Sequence, residues 1–290
     1  MQREIVIASG KGGTGKTFLS SNLAYYISKI VGRPCIGVDA DAEAPDLALA
    51  LGDYVNIYSR EEVYESRKAT IDYEKCNLCM MCYTVCRFYA ITLQEDKPTI
   101  IEEYCEGCGA CGIVCPTQAI SYRTVRTGFI IHGRTRHDVD VVTADLEVSG
   151  RNTGHLVYLA REKAKQIGRE YIIIDAAPGI GCPVISSIVG ANLLVICVEP
   201  TPQSFNGCCR LINVAETIKI PYRIIINKYD LNREFAEKIE KELGNNVIGR
   251  IPYSRDIVKS YADLTPLLAT SSPLKKDVEH IMEEIVRVCS

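Results

Sequence analysis

The sequence predicts an α/β protein built on a doubly wound, mainly parallel sheet that a small cysteine-rich insert interrupts. Three observations carry that expectation. Strand-like runs of branched apolar residues alternate with amphipathic helical stretches along most of the 290 residues. A glycine-rich loop joins the first such strand to the first helix. Two cysteine runs, each C-x2-C-x2-C-x3-C, fall between Cys76 and Cys115, inside the βα series and not at either end of it.

Taken in order, "REIVIAS" reads as a buried strand, and the helix after the loop carries Leu19, Leu23, Ile27 and Ile30 on one face. "PCIGVDA", "YIIID", "NLLVICVE" and "YRIIINK" are further strands of the kind that fill a sheet covered on both faces. "REFAEKIEKELG" is a helix stopped by Gly244. Near the C-terminus, "PLKKDVEHIMEEIVRV" puts Val278, Ile281, Met282 and Ile285 on one helix face. Its four acids and three bases lack the basic polar face of a membrane-surface helix, so it is expected to pack on its own domain. The insert enters after about residue 66 and leaves near 123. A discontinuous domain of 1–66 and 123–290 is thus expected around an inserted domain of 67–122.

Composition narrows the function. A hydrophobic content of 47% with 24% charged residues suits a well-filled core. The net charge of −3 lacks the basic excess of nucleic-acid binders. No apolar run approaches the roughly 20 residues of a membrane span, and the first strand starts too early to leave room for a signal peptide. The expected location is cytoplasmic, with no nucleic-acid partner and no stable membrane insertion. In a reducing compartment, fourteen cysteines with eight of them clustered point to metal binding before disulfides.

The loop "GKGGTGKT", Gly10 to Thr17, follows a strand and opens a helix. Gly10, Gly12, Gly13 and Gly15 let backbone N–H groups, that of Thr14 included, converge on phosphate oxygens, and the helix N-terminus adds a favourable field. Lys16 is placed to reach the β- and γ-phosphates, and the Thr17 hydroxyl to ligate Mg²⁺.

The cysteine runs, "CNLCMMCYTVCR" and "CEGCGACGIVCP", are offset by 29 residues, and the offset extends to Thr70-Ile71/Thr99-Ile100 and Ala90-Ile91/Ala119-Ile120. Three thiolates of such a run hold three corners of a [4Fe–4S] cubane, while the fourth serves the other cluster. The expected sets are Cys76, Cys79, Cys82 with Cys115, and Cys105, Cys108, Cys111 with Cys86. Zinc is the main rival, although it more often uses paired CxxC elements, frequently with histidine. The stretch resembles a bacterial two-cluster ferredoxin over about 54 residues. It departs from that pattern in having Arg87, where Pro116 stands in the second run. Residues 69–122 hold seven acids against three bases, which suits a redox partner with a basic face.

Lys11 is an extra lysine in the phosphate loop, and the pattern G-K-G-G-x-G-K-[ST] resembles the deviant Walker A of the MinD, ParA, Mrp and nitrogenase iron protein superfamily of P-loop ATPases. The resemblance implies a nucleotide-dependent dimer, with itself or with a related ATPase, in which Lys11 reaches the partner's nucleotide. It makes "VDADAEAPD" the first switch, with Asp41 orienting the attacking water and Asp39 near the Mg²⁺ shell. "YIIIDAAPGIGCP" becomes the second switch, with Asp175 holding Mg²⁺ and the Gly179 N–H facing the γ-phosphate; Ala177 stands where the family usually has proline. Cys182 matches a cysteine that bridges subunits in the nitrogenase iron protein, but the second ligand used there has no counterpart between Cys115 and Cys182. Asn227 and Pro252 fall where this group reads adenine, while "NKYD", ending at Asp230, also matches a guanine-reading element; ATP is favoured. The implied activity is ATP hydrolysis coupled to electron transfer through two [4Fe–4S] clusters to a redox or metallocofactor partner. Cluster or metallocofactor assembly, and a redox-sensing positioning ATPase, are the alternatives.

Overall fold

A computed structural model describes residues 2–148 and 150–289. Along the chain lie β1 (Arg3–Ser9), α1 (Lys16–Tyr25), β2 (Cys35–Ala40), α2 (Leu47–Ala50) and β3 (Tyr54–Val63). Then come β4 (Ser66–Ile71), α3 (Met81–Val85), β5 (Ile91–Gln94), β6 (Lys97–Ile100), α4 (Ala110–Ile113) and β7 (Ile120–Val125). Next are β8 (Gly128–Thr135), β9 (Asp140–Leu146), α5 (Thr153–Ile167), β10 (Tyr171–Pro178), α6 (Cys182–Ile188), β11 (Leu193–Val198) and α7 (Pro202–Thr217). The chain closes with β12 (Tyr222–Asn227), α8 (Arg233–Leu243), β13 (Val247–Ile251), α9 (Arg255–Ala262) and α10 (Lys275–Cys289).

Two compact units emerge: Met1–Glu61 with Ile130–Asp145 and Gly154–Ser290, and Glu62–Phe129 with Leu146–Thr153. The first is built on a nine-stranded sheet, ordered β13-β12-β11-β1-β10-β2-β9-β8-β3. From β13 to β9 each neighbouring pair is parallel. β1, β2 and β11 are buried along nearly their whole length because helices cover both faces, which is why they read as unbroken apolar runs. β3 and β9 escaped the sequence reading. β3 is mostly exposed and carries charges, while Asp140, Thr143 and Asp145 break the apolar run of β9.

Leu19, Leu23 and Ile27 are fully buried as the helical periodicity predicts, but Ile30 is 39% exposed. The helix widens into a π-helical turn over Tyr26–Ile30, which rotates the last residue off the buried face. Val278, Ile281, Met282 and Ile285 of α10 join the core cluster that contains Ile5, Ile7 and Leu19, so this helix packs on its own unit. Among the described residues no helix is long and apolar enough to cross a membrane.

The second unit shows the 29-residue repeat in its backbone. β4 pairs with β7 and β5 with β6, both antiparallel. The leading strand of each repeat therefore pairs with the trailing strand of the other. Matching hydrogen bonds join them: Asp72 N to Ala119 O and Ile101 N to Ala90 O, each 2.7 Å. Positive φ recurs at equivalent places, Leu78 and Gly107, Met80 and Gly109, Tyr89 and Gln118. Residues 146–148 and 150–153 belong to this unit through Arg151, whose N–H donates to Ser66 Oγ at 3.0 Å and whose guanidinium pairs with Glu106 at 2.7 Å.

Candidate nucleotide site and cysteine-lined cavities

β1 ends at Ser9 in the middle of the sheet, so the following loop leaves from the carboxyl edge, where open α/β sheets gather ligand contacts. Gly13 (φ 77°) and Gly15 (φ 101°) adopt left-handed conformations that a side chain would strain. Helix α1 begins at Lys16 with no side-chain cap, which leaves the N–H groups of its first turn for an anion. Thr14 Oγ1 is buried without a hydrogen-bond partner. A buried orphan hydroxyl is costly, and a phosphate oxygen at this loop is the kind of acceptor that would satisfy it.

Two acids meet behind the loop. Asp175 and Asp39 are partners in the β10–β2 register. Ser20 Oγ donates to Asp175 Oδ1 at 3.0 Å, and the Thr17 side chain is also hydrogen-bonded to Asp175. Burial pushes the Asp175 carboxyl up to about 6, against the pull of the Lys16 charge and the Thr17 and Ser20 hydroxyls. Asp39 is raised well above the usual range by burial and then by the charge of Asp175. Buried acids side by side favour a cation between or beside them. Asp39 differs from Asp175 in its partners: Leu47 N donates to Oδ2 at 2.7 Å and Asp41 N to Oδ1 at 3.2 Å. It thus organises the loop that carries Asp41, whose carboxyl is raised by burial and drawn back by Lys16.

Other residues singled out from the sequence have partners of their own. The Gly179 N–H donates to Ser9 O at 2.8 Å. Asn227, 4% exposed, donates from Nδ2 to Thr14 O at 2.6 Å and braces the phosphate loop from behind. Asp230 Oδ1 accepts from Tyr253 N at 2.6 Å, tying the loop after β12 to the one that contains Pro252. Lys11 Nζ lies 3.5 Å from Glu199 Oε2. Cys182 is exposed at the start of α6.

Sequence reasoning missed three contributors. Glu199, placed directly after β11, also pairs with Lys228, whose Nζ donates to Gly13 O at 2.8 Å. Its only sequence signal is a charge at the end of a buried strand. Gly207, in α7, meets Gly10 backbone to backbone: a Cβ on Gly207 would lie 2.7 Å from Gly10 Cα. Alanine normally gains about 1 kcal/mol over glycine in a helix. Gly207→Ala is expected instead to destabilise by about 1–3 kcal/mol through overpacking and to weaken nucleotide binding. Thermal melts with and without nucleotide check this.

In the second unit, Cys105, Cys108, Cys111 and Cys86 line one small cavity, together with Ala69 and Tyr122. Cys76, Cys79, Cys82 and Cys115 line another, with Pro98 and Ile120. The strand exchange between repeats is what brings the fourth cysteine of each run to the other's cavity. Among the described residues no group of three or more His, Cys, Asp or Glu side chains stands close enough together to hold a metal ion.

A family model for the CobQ/CobB/MinD/ParA nucleotide-binding domain matches residues 5–267. The chain belongs to this family. It is 32% identical over 283 residues to an uncharacterized protein of Methanocaldococcus jannaschii, covering 97% of this chain and 96% of that one. An uncharacterized ATP-binding protein of the same organism is 28% identical over 289 residues, with 98% of each chain covered. Among solved structures, the septum site-determining protein MinD complexed with Mg-ADP from Pyrococcus horikoshii gives a TM-score of 0.62 at 17% identity, covering 100% of this chain and 98% of that chain. That likeness concerns the α/β fold with its large, mainly parallel sheet.

Proposed function

We propose that the chain is an ATP-dependent iron–sulfur protein, in which nucleotide-driven dimerisation and hydrolysis are coupled to electron transfer through two [4Fe–4S] clusters to a partner protein. The observation that carries the reading is the pair of cavities, each lined by three cysteines of one run and the fourth of the other, in a chain that also has a phosphate loop. ATP is the nucleotide favoured by the relative described as ATP-binding.

On the nucleotide side, Lys16 and the free N–H groups of α1 bind the β- and γ-phosphates. Thr17 and Asp175 hold Mg²⁺, with Asp39 shaping its surroundings. Asp41 orients the attacking water. Lys11 neutralises charge growing on the nucleotide of the partner subunit. In the chain by itself Lys11 is paired with Glu199, and the Gly179 N–H is bonded to Ser9. Both contacts have to open before Lys11 and Gly179 meet a γ-phosphate. Asn227 serves by fixing the loop at Thr14.

On the cysteine side, the eight thiolates hold two clusters, which supply one-electron chemistry when bound. Walls contributed by both repeats favour clusters that stay over clusters that are delivered. The dimer partner is a second copy or a related ATPase, and the electron partner is a redox or metallocofactor protein.

Anoxic purification is expected to give a brown protein with about eight irons and eight sulfides per chain. Its reduction potentials shift when ATP is added, and the iron stays in place when an apo-protein acceptor is offered. A colourless chain with neither iron nor sulfide contradicts the cluster reading. Release of iron to the acceptor replaces electron transfer with an assembly role.

A further inference from the structure

Lys68 and Lys97 hold the same place in the two repeats, 29 residues apart, but their surroundings differ. Lys68 is 2% exposed, and its Nζ donates to the Cys105 carbonyl at 2.8 Å. Lys97 starts β6 and is exposed. A cation in water is screened, whereas one withdrawn from water acts strongly on its neighbours. We infer that Lys68 makes the two cysteine sites electronically unequal, so that the cluster held by Cys86, Cys105, Cys108 and Cys111 is the more easily reduced.

This rests on the cluster reading proposed above. Reduction adds negative charge to a cluster, so a fixed positive charge beside it stabilises the reduced form. The nearby acids are already matched: Glu106 pairs with Arg151 at 2.7 Å, and Glu102 pairs with Arg123. Arg87 directly follows Cys86 but is exposed, so its charge is screened as that of Lys97 is. Hydrogen bonds reach sulfur at both sites. Ala69 N donates to Cys105 Sγ at 3.5 Å, and the Tyr122 hydroxyl lies 3.4 Å from Cys111 Sγ. At the other site Ala119 N donates to Cys115 Sγ at 3.2 Å, and the Thr117 hydroxyl lies 3.7 Å from the same sulfur. The buried charge of Lys68 has no counterpart at the equivalent place of the other repeat, where Lys97 is exposed.

Potentiometric titration of the anoxically purified full chain, followed by electron paramagnetic resonance, tests it. Two midpoints are expected. Lys68→Met lowers the higher one so that the reduced-to-oxidised ratio at a fixed poise falls about tenfold, equivalent to about 59 mV for a one-electron couple. Lys68→Arg, which keeps the charge, leaves it near the wild-type position, and Lys97→Met moves neither midpoint. Unchanged midpoints in Lys68→Met, or an equal response in Lys97→Met, overturn the inference. Should Lys68→Met lose its iron, the equivalent exposed ligands decide: Cys108→Ser is expected to alter the higher-potential signal and Cys79→Ser the lower, and the opposite assignment overturns it. Iron-replete wild type with superposed midpoints removes this inference alone. An iron-free wild type removes the cluster reading and this inference together.

Discussion

Lys11→Ala is expected to bind ATP almost as tightly as the wild type and to lose hydrolysis by about 10³-fold or more, the scale of a charge supplied in trans. Lys16→Ala is expected to lose binding itself. The contrast comes from position. Lys16 is 7% exposed at the first residue of α1, and its charge reaches both Asp41 and Asp175. Lys11 stands with its side chain 42% exposed, paired with Glu199 and away from that cluster of acids. A cation held at the rim contributes little to ground-state affinity and much to a transition state formed after dimer closure. Equilibrium binding of a fluorescent ATP analogue, steady-state phosphate release and light scattering separate the two effects. Wild-type turnover in Lys11→Ala, or retained tight binding in Lys16→Ala, contradicts the assignment of that lysine.

Asp175→Asn is expected to cut Mg²⁺-dependent turnover sharply while making the nucleotide-free chain more stable at neutral pH. The carboxyl is raised from its ordinary 3.8 to about 6 by burial, so the folded chain binds this proton more tightly than the unfolded chain does. The wild type therefore loses stability as pH rises through roughly 4 to 6, as the buried carboxylate becomes charged. The amide carries no such charge and escapes that loss. Thermal unfolding in chelator at pH 4 and pH 7.5 reads this directly: the two proteins melt together at the lower pH, and the variant melts higher at the upper one. A variant advantage of equal size at both values shows that charge is not the cause. On the proposed role of Asp175 as a Mg²⁺ ligand, loss of turnover is expected at about 10²-fold or beyond.

Much of this was legible from residue order. Glycines in a fixed pattern between a strand and a helix name a phosphate loop because the requirement is local: φ, N–H direction and helix polarity are set within a few residues. Cysteine spacing is equally local, and so is the apolar period that located α1, α8 and α10. The pattern within each cysteine run carried the expectation that its fourth cysteine crosses to the other run, and the two cavities are lined in that way. What residue order could not supply were the partners that arrive from far along the chain. Glu199 holding Lys11, Asn227 bracing Thr14 and Gly207 lying against Gly10 each join segments about 190 or more residues apart. The unequal burial of Lys68 and Lys97, identical in sequence and position, is the plainest case. A local pattern states which chemistry is available; the distance and dielectric in which each charge acts exist only once the chain has packed around it.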